Sequence, residues 1–137
     1  MSITNIVIGV DGSPSAYRAF AMALDLAERE HGSVHACCVA LVPALAAAGA
    51  FVTPTPPLDD RLDDDLANFV TDALSRAHIS GDFAWRVGEI AIELESLAAD
   101  LAADLIIVGR SAHLHLRVGG VPRQLLARGH YPVLVVP

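Results

Sequence analysis

The chain has 137 residues, 53% of them hydrophobic, with sixteen acidic and nine basic residues and a formal charge of −7. That length reads as one domain over residues 1–137, large enough to bury a core. The acidic balance excludes nucleic acid or an anionic membrane as the main partner, and the absence of Lys excludes a lysine nucleophile or Schiff base.

Asn5 to Val10 is continuously apolar and β-rich, the pattern of a strand buried on both faces. It ends at Asp11-Gly12. Ser13-Pro14 then reads as a helix start, Ser as N-cap and Pro at the first helical position. Tyr17, Phe20, Leu24 and Ala27 recur at spacings of three and four, predicting one buried stripe. The helix is expected to run to about His31, with Gly32 as the stop.

Val34 to Val42 reads as a second buried strand. It holds Cys37 and Cys38, adjacent thiols expected on opposite faces, buried and reduced. Pro43 to Leu58 is a connector rich in Ala and Pro, longer than a plain strand-to-helix link. Asp59 opens a second helix whose buried face is Leu62, Leu66, Phe69, Ala73 and Ala77. Its early Asp residues suit the positive helix end and lack the spacing of a calcium loop.

Ser80-Gly81 reads as a turn, and Asp82 to Val87 as a third strand. A third helix follows, buried through Ile90, Leu94, Leu97 and Leu101. Leu105 to Val108 is a fourth strand. Pro122 to Arg128 is a short helix stopped by Gly129, and Val133 to Val136 is the last strand. Strands alternating with helices predict an α/β fold, a parallel sheet with helices on both faces. Ligands of such sheets sit beyond the carboxyl ends of the strands, where strand order reverses.

The stretch with most chemical content is Asp104 to Gly120. An apolar strand breaks at Gly109, crosses a polar segment, and closes on Gly119-Gly120 before a helix. No acid follows Asp104, whereas Arg110, Arg117, Arg123 and Arg128 do. A glycine-flanked loop before a helix start, in a cationic setting, suits an anion. Asp11, at the end of the first strand, is either a ligand-binding carboxylate or a turn residue capping its own backbone. His113 and His115 form an H-x-H pair without a third ligand at a recognised spacing, so no metal site is assigned. There is no paired-carboxylate motif, no Walker lysine and no Ser-His-Asp signature, so binding is expected and catalysis is not. No basic segment followed by an apolar core opens the chain, and no run suits a membrane span. A cytoplasmic protein is expected.

Three segments together resemble the universal stress protein family over essentially the whole chain. IVIGVDGSPSA resembles its first strand and adenine-contacting Asp. ADLIIVGRSA resembles its fourth strand and phosphate loop, and GGVPRQLLARGHYPVLVV its closing segment. The resemblance implies a Rossmann-like, five-stranded parallel sheet of order 3-2-1-4-5, and a homodimer paired through the C-terminal strand. It also implies a stress-response module binding ATP or another adenine nucleotide, with Mg if ATP. The residues carried over are Gly9, Val10, Asp11, Leu41, Gly109, Ser111, Ala112, Gly119, Gly120 and Val121.

Nucleotide-binding members carry glycine, two residues, glycine, nine residues, then glycine followed by Ser or Thr. Here Gly109 matches the first glycine, Ala112 stands at the second, and six residues precede Gly119. Gly120 replaces the hydroxyl residue. Each departure weakens phosphate binding by about 1 kcal/mol. The expected site is therefore degenerate, and the alternative is a dimeric interaction protein that binds no nucleotide.

Overall fold

The computed structural model describes residues 2–40, 60–110 and 120–137. In chain order the elements are β1 (Asn5–Gly9), α1 (Pro14–Glu30), β2 (Ser33–Ala40), α2 (Asp60–Ala77) and β3 (Ser80–Val87). They continue with α3 (Ile90–Asp100), β4 (Leu105–Gly109), α4 (Val121–Arg128) and β5 (Val133–Val136). The five strands form one parallel sheet of order β3-β2-β1-β4-β5, the order expected. The connector Pro43–Leu58, Leu41, the end of the expected second strand, and the loop holding His113, His115 and Arg117 lie outside the described residues.

Strand periodicity sorts the side chains into two cores. Ile6, Ile8, Val34, Ala36, Leu105 and Ile107 meet Ala19, Phe20 and Ala23 of α1 and Leu66, Val70 and Leu74 of α2. Val7, Cys37, Ile106 and Val108 meet Leu94, Leu97 and Ala98 of α3 and Leu125 of α4. Both faces are thus covered, which is why the strands read as continuous apolar runs. Cys37 faces α3, whereas Cys38 packs on the other face, as expected. Burial pushes the Cys37 thiol up to about 11, against the opposing pull of Arg86.

Several local expectations are corrected. Ser80 and Gly81 are not a turn; they pair with Ser33 and Val34 and begin β3. Long-range pairing overrides the local preference of Ser-Gly. α1 ends where expected, but its left-handed cap is His31 rather than Gly32: φ is 56 and the His31 N–H bonds Ala27 O. Gly32 is instead where the backbone passes Thr4, since a Cβ there would stand 2.8 Å from Thr4 O. Tyr17 and Phe69 are not core residues. They are 40% and 46% exposed and stack edge to face, with centroids 5.0 Å apart, across the α1–α2 boundary. The stripe of α1 that does bury is Ala16, Ala19, Phe20, Ala23 and Ala27. No helix among the described residues is long and apolar enough to cross a membrane.

Candidate functional site

β1 stands between β2 and β4, so strand order reverses at β1. Gly9 pairs with Cys37 on one side and Val108 on the other. The carboxyl ends of β1 and β4 therefore open on one edge of the sheet, where this fold places ligands.

The residues after β1 make a tight entry into α1. Val10 is buried and its N–H continues the ladder to Cys37 O at 2.9 Å. Asp11 is exposed, and its Oδ1 accepts from Ser13 N at 2.9 Å. It is thus a turn carboxylate. Gly12 has φ 81, the left-handed conformation that the turn requires. Ser13 caps α1 by accepting from Ala16 N at 3.2 Å. Beside this turn Val10, Gly12, Tyr17, Phe20, Leu66 and Phe69 line a surface crease too tight to hold a water molecule.

On the β4 side, Gly109 closes the strand opposite Val136. A Cβ on Gly109 would stand 2.6 Å from Ser15 Oγ and 2.8 Å from Ala16 N. The space at this glycine is occupied by the start of α1. Gly120 is the N-cap of α4 and makes no side-chain cap bond. Val121 is the first helical residue and packs on the α3-side core. Pro122 lacks an N–H, so the uncapped donors of the first turn are those of Val121 and Arg123. Leu41, Ser111, Ala112 and Gly119 lie outside the described residues. The structure thus brings Gly9, Val10 and Asp11 to the same edge as Gly109, Gly120 and Val121.

Two clusters were missed by sequence reasoning. Glu95 on α3, 8% exposed, accepts from Arg128 Nε at 2.6 Å and His130 Nδ1 at 3.0 Å. Burial works to raise its pKa, but the bonds and charges of Arg128 and His130 hold it below the ordinary carboxylate value. The second cluster lies at the opposite, amino-terminal edge of the sheet. Ser33 Oγ is 3.2 Å from His35 Nε2, and His35 Nδ1 is 2.9 Å from Asp82 Oδ1. Its signal in sequence was Ser33 and His35 two apart on one strand. The third member depends on the β2–β3 register, which no local pattern carries. Among the described residues no three His, Cys, Asp or Glu side chains gather as a metal site.

A model of the universal stress protein family matches residues 2–137. The chain belongs to this family. Solved universal stress proteins share its fold. One is a universal stress protein family member from Burkholderia pseudomallei, 22% identical, with 99% of this chain and 97% of that one covered and a TM-score of 0.74. Another is a universal stress protein in complex with cAMP, 22% identical, covering 100% and 99% at a TM-score of 0.74. A third, from Archaeoglobus fulgidus in complex with dAMP, is 19% identical, covering 100% and 100% at a TM-score of 0.70. Among curated proteins none matches. Against the nucleotide-binding pattern that the resemblance implies, this universal stress protein carries Ala112 at the second glycine, six residues before Gly119, and Gly120 at the hydroxyl position.

Proposed function

We propose that this universal stress protein is a cytoplasmic stress-response module that binds an adenine nucleotide weakly at the β1–β4 edge, without turning it over. The observation that carries the reading is the placement of Asp11, an exposed carboxylate at the end of β1, where the strand order reverses. Relatives of the same fold carry cAMP and dAMP, which supports an adenine ligand. ATP would bring Mg; AMP or cAMP would not. The weakness follows from the loop chemistry. Gly120 offers no hydroxyl, and Ala112 adds a methyl where backbone would approach phosphate. Each lost contact weakens binding by about 1 kcal/mol, a several-fold change in affinity.

The second reading is a dimeric interaction protein without nucleotide. The Gly109 contact favours it, because packing of α1 accounts for that glycine with no ligand. Both readings share a homodimer through β5. Among the described residues that strand pairs with β4 on one side only, leaving an edge open to a second copy.

Calorimetric titration with ATP, ADP, AMP and cAMP, with and without Mg at fixed salt, tests the choice. The first reading expects binding of at least one nucleotide, weaker than about micromolar, and its loss in Asp11→Ala. Sub-micromolar ATP binding would remove the weakening. No heat with any nucleotide, from a chain that sediments as a dimer, would favour the second reading.

A further inference from the structure

Ser33, His35 and Asp82 stand in line at the amino-terminal edge of the sheet, the end opposite Asp11. Ser33 and His35 are alternate residues of β2, so both project towards the α3 side. His35 pairs with Asp82 in the β2–β3 register, which sets the carboxylate beside the ring. Asp82 Oδ1 lies 2.9 Å from Nδ1 and Ser33 Oγ lies 3.2 Å from Nε2. A carboxylate on Nδ1 holds the proton there and turns the Nε2 lone pair to the hydroxyl. That is the contact order of a serine nucleophile, its base and the group that orients the base.

We propose that Ser33, His35 and Asp82 form a nucleophilic triad that hydrolyses small activated esters. Ser33 is partly exposed, so a substrate carbonyl can reach Oγ; the His35 side chain is 16% exposed and held in place. Ser33 Oγ attacks the ester carbonyl carbon as its proton passes to His35 Nε2. The ester C–O bond then breaks and Nε2 returns the proton to the leaving alcohol. Water attacks the acyl-serine in the same way. Its proton goes to Nε2 and from there to Ser33 Oγ, releasing the carboxylic acid. Ester and water thus become acid and alcohol, with no other reactant.

Two features set the rate and the substrate class. In the resting protein Ser33 Oγ also donates to Asn5 Oδ1 at 2.8 Å, and Asn5 Nδ2 is held by Leu101 O at 3.3 Å. Thr4 O also lies 3.3 Å from Ser33 Oγ; all three acceptors are within reach of the same oxygen, so only the hydroxyl proton must turn. The Ser33 N–H is committed to Thr4 O at 2.7 Å and cannot hold an oxyanion. Lack of one oxyanion donor slows acyl transfer by about a hundredfold or more. The triad therefore suits aryl esters, whose leaving groups need little help, and turns them over slowly.

The test uses the full chain, p-nitrophenyl acetate and a fluorophosphonate label mapped by peptide mass spectrometry. The expected result is label on Ser33 and nitrophenolate release that falls about tenfold or more in Ser33→Ala and in Asp82→Asn. The Asp82 side chain is 68% exposed, so its variants keep the fold, and Asp82→Glu should restore part of the labelling rate. A network that only ties β1, β2 and β3 together would give no label at all. Absence of label on Ser33, or any smaller fall in Ser33→Ala, overturns the proposal. Nucleotide titration reads the other edge of the sheet, so the two outcomes are independent.

Discussion

Gly109 at the end of β4 lies directly against Ser15 in the first turn of α1: a Cβ on the glycine would stand 2.6 Å from Ser15 Oγ and 2.7 Å from the Ser15 carbonyl carbon. The neighbours are backbone as well as side chain, so they cannot simply swing aside. Gly109→Ala must push α1 away from β4 or bend the strand, at a cost of about 2–3 kcal/mol. Urea denaturation without ligand should show that loss in full. A variant as stable as the parent, with binding alone impaired, would return the glycine to a ligand role. Gly12 offers a contrast. A Cβ there meets nothing within 4 Å, so Gly12→Ala costs only the strain of its positive φ, about 1 kcal/mol.

Glu95 makes stability depend on acid. Its folded pKa is held below the unfolded value by Arg128 and His130 against the opposing effect of burial. A depressed carboxylate contributes its full stability above the unfolded pKa of about 4.3, and loses it as pH falls through the lower folded value. Asp104 acts in the same direction, because the backbone N–H groups of Asn5 and Thr4 bond its Oδ2 at 3.0 and 2.9 Å. Glu95→Gln should therefore flatten the decline of unfolding free energy below about pH 5. At neutral pH, Glu95→Ala should cost about 2 kcal/mol, less than a fully buried pair because Arg128 and His130 are 39% and 61% exposed. An unchanged acid limb in Glu95→Gln would show that the cluster contributes nothing.

Ala102, just beyond the Leu101 cap of α3, is in the left-handed region, φ 51, without the small polar side chain that eases it there. For a β-carbon this conformation costs about 1–2 kcal/mol, part of which the freer unfolded glycine chain takes back. Ala102→Gly should raise stability by about 0.5–1 kcal/mol. Thermal melting checks the sign, and a lower midpoint would rule out the relief of strain.

Alternation of apolar strands and helices was legible in the sequence because the sheet is buried on both faces, so each strand shows as a continuous run. The strand order came from the family resemblance, and the parallel pairings agree with it. What could not be read was anything set by two distant segments. Phe69 has the right helical spacing for a core residue, yet it rests on Tyr17 at the surface because Val70 and Leu74 already fill the sheet side of α2. Ser80-Gly81 has turn composition, yet the ladder to β2 extends through it. Gly109 carried a phosphate-loop signal, and its neighbour turned out to be α1. Ser33, His35 and Asp82 meet only because β2 and β3 pair in one register. Asp11 was the opposite case: a turn carboxylate was one of its two sequence readings, and its bond to Ser13 N is that turn.

Gly120 allows the phosphate side of the proposed site to be tested separately from the adenine side. It is the N-cap of α4 and supplies no side-chain acceptor. Gly120→Ser adds a hydroxyl with two possible uses. As a cap on α4 it would add only a few tenths of a kcal/mol to stability, since glycine is itself a tolerated N-cap. As a donor to a bound phosphate it would tighten binding by about 1 kcal/mol, roughly fivefold. Adding Ala112→Gly, which restores the family's second glycine, should deepen that gain for ATP. AMP should gain less, because the repaired groups face the outer phosphates in the family arrangement. Adenosine should gain nothing, with Asp11 and Val10 untouched. Titration of the three ligands against parent and variant reads these differences directly. An equal gain for adenosine and ATP would mean that the substitutions reorder the edge generally. A rise in melting temperature with no gain for any ligand would mean that the new hydroxyl caps its own helix, and the interaction-protein reading would then be the better one.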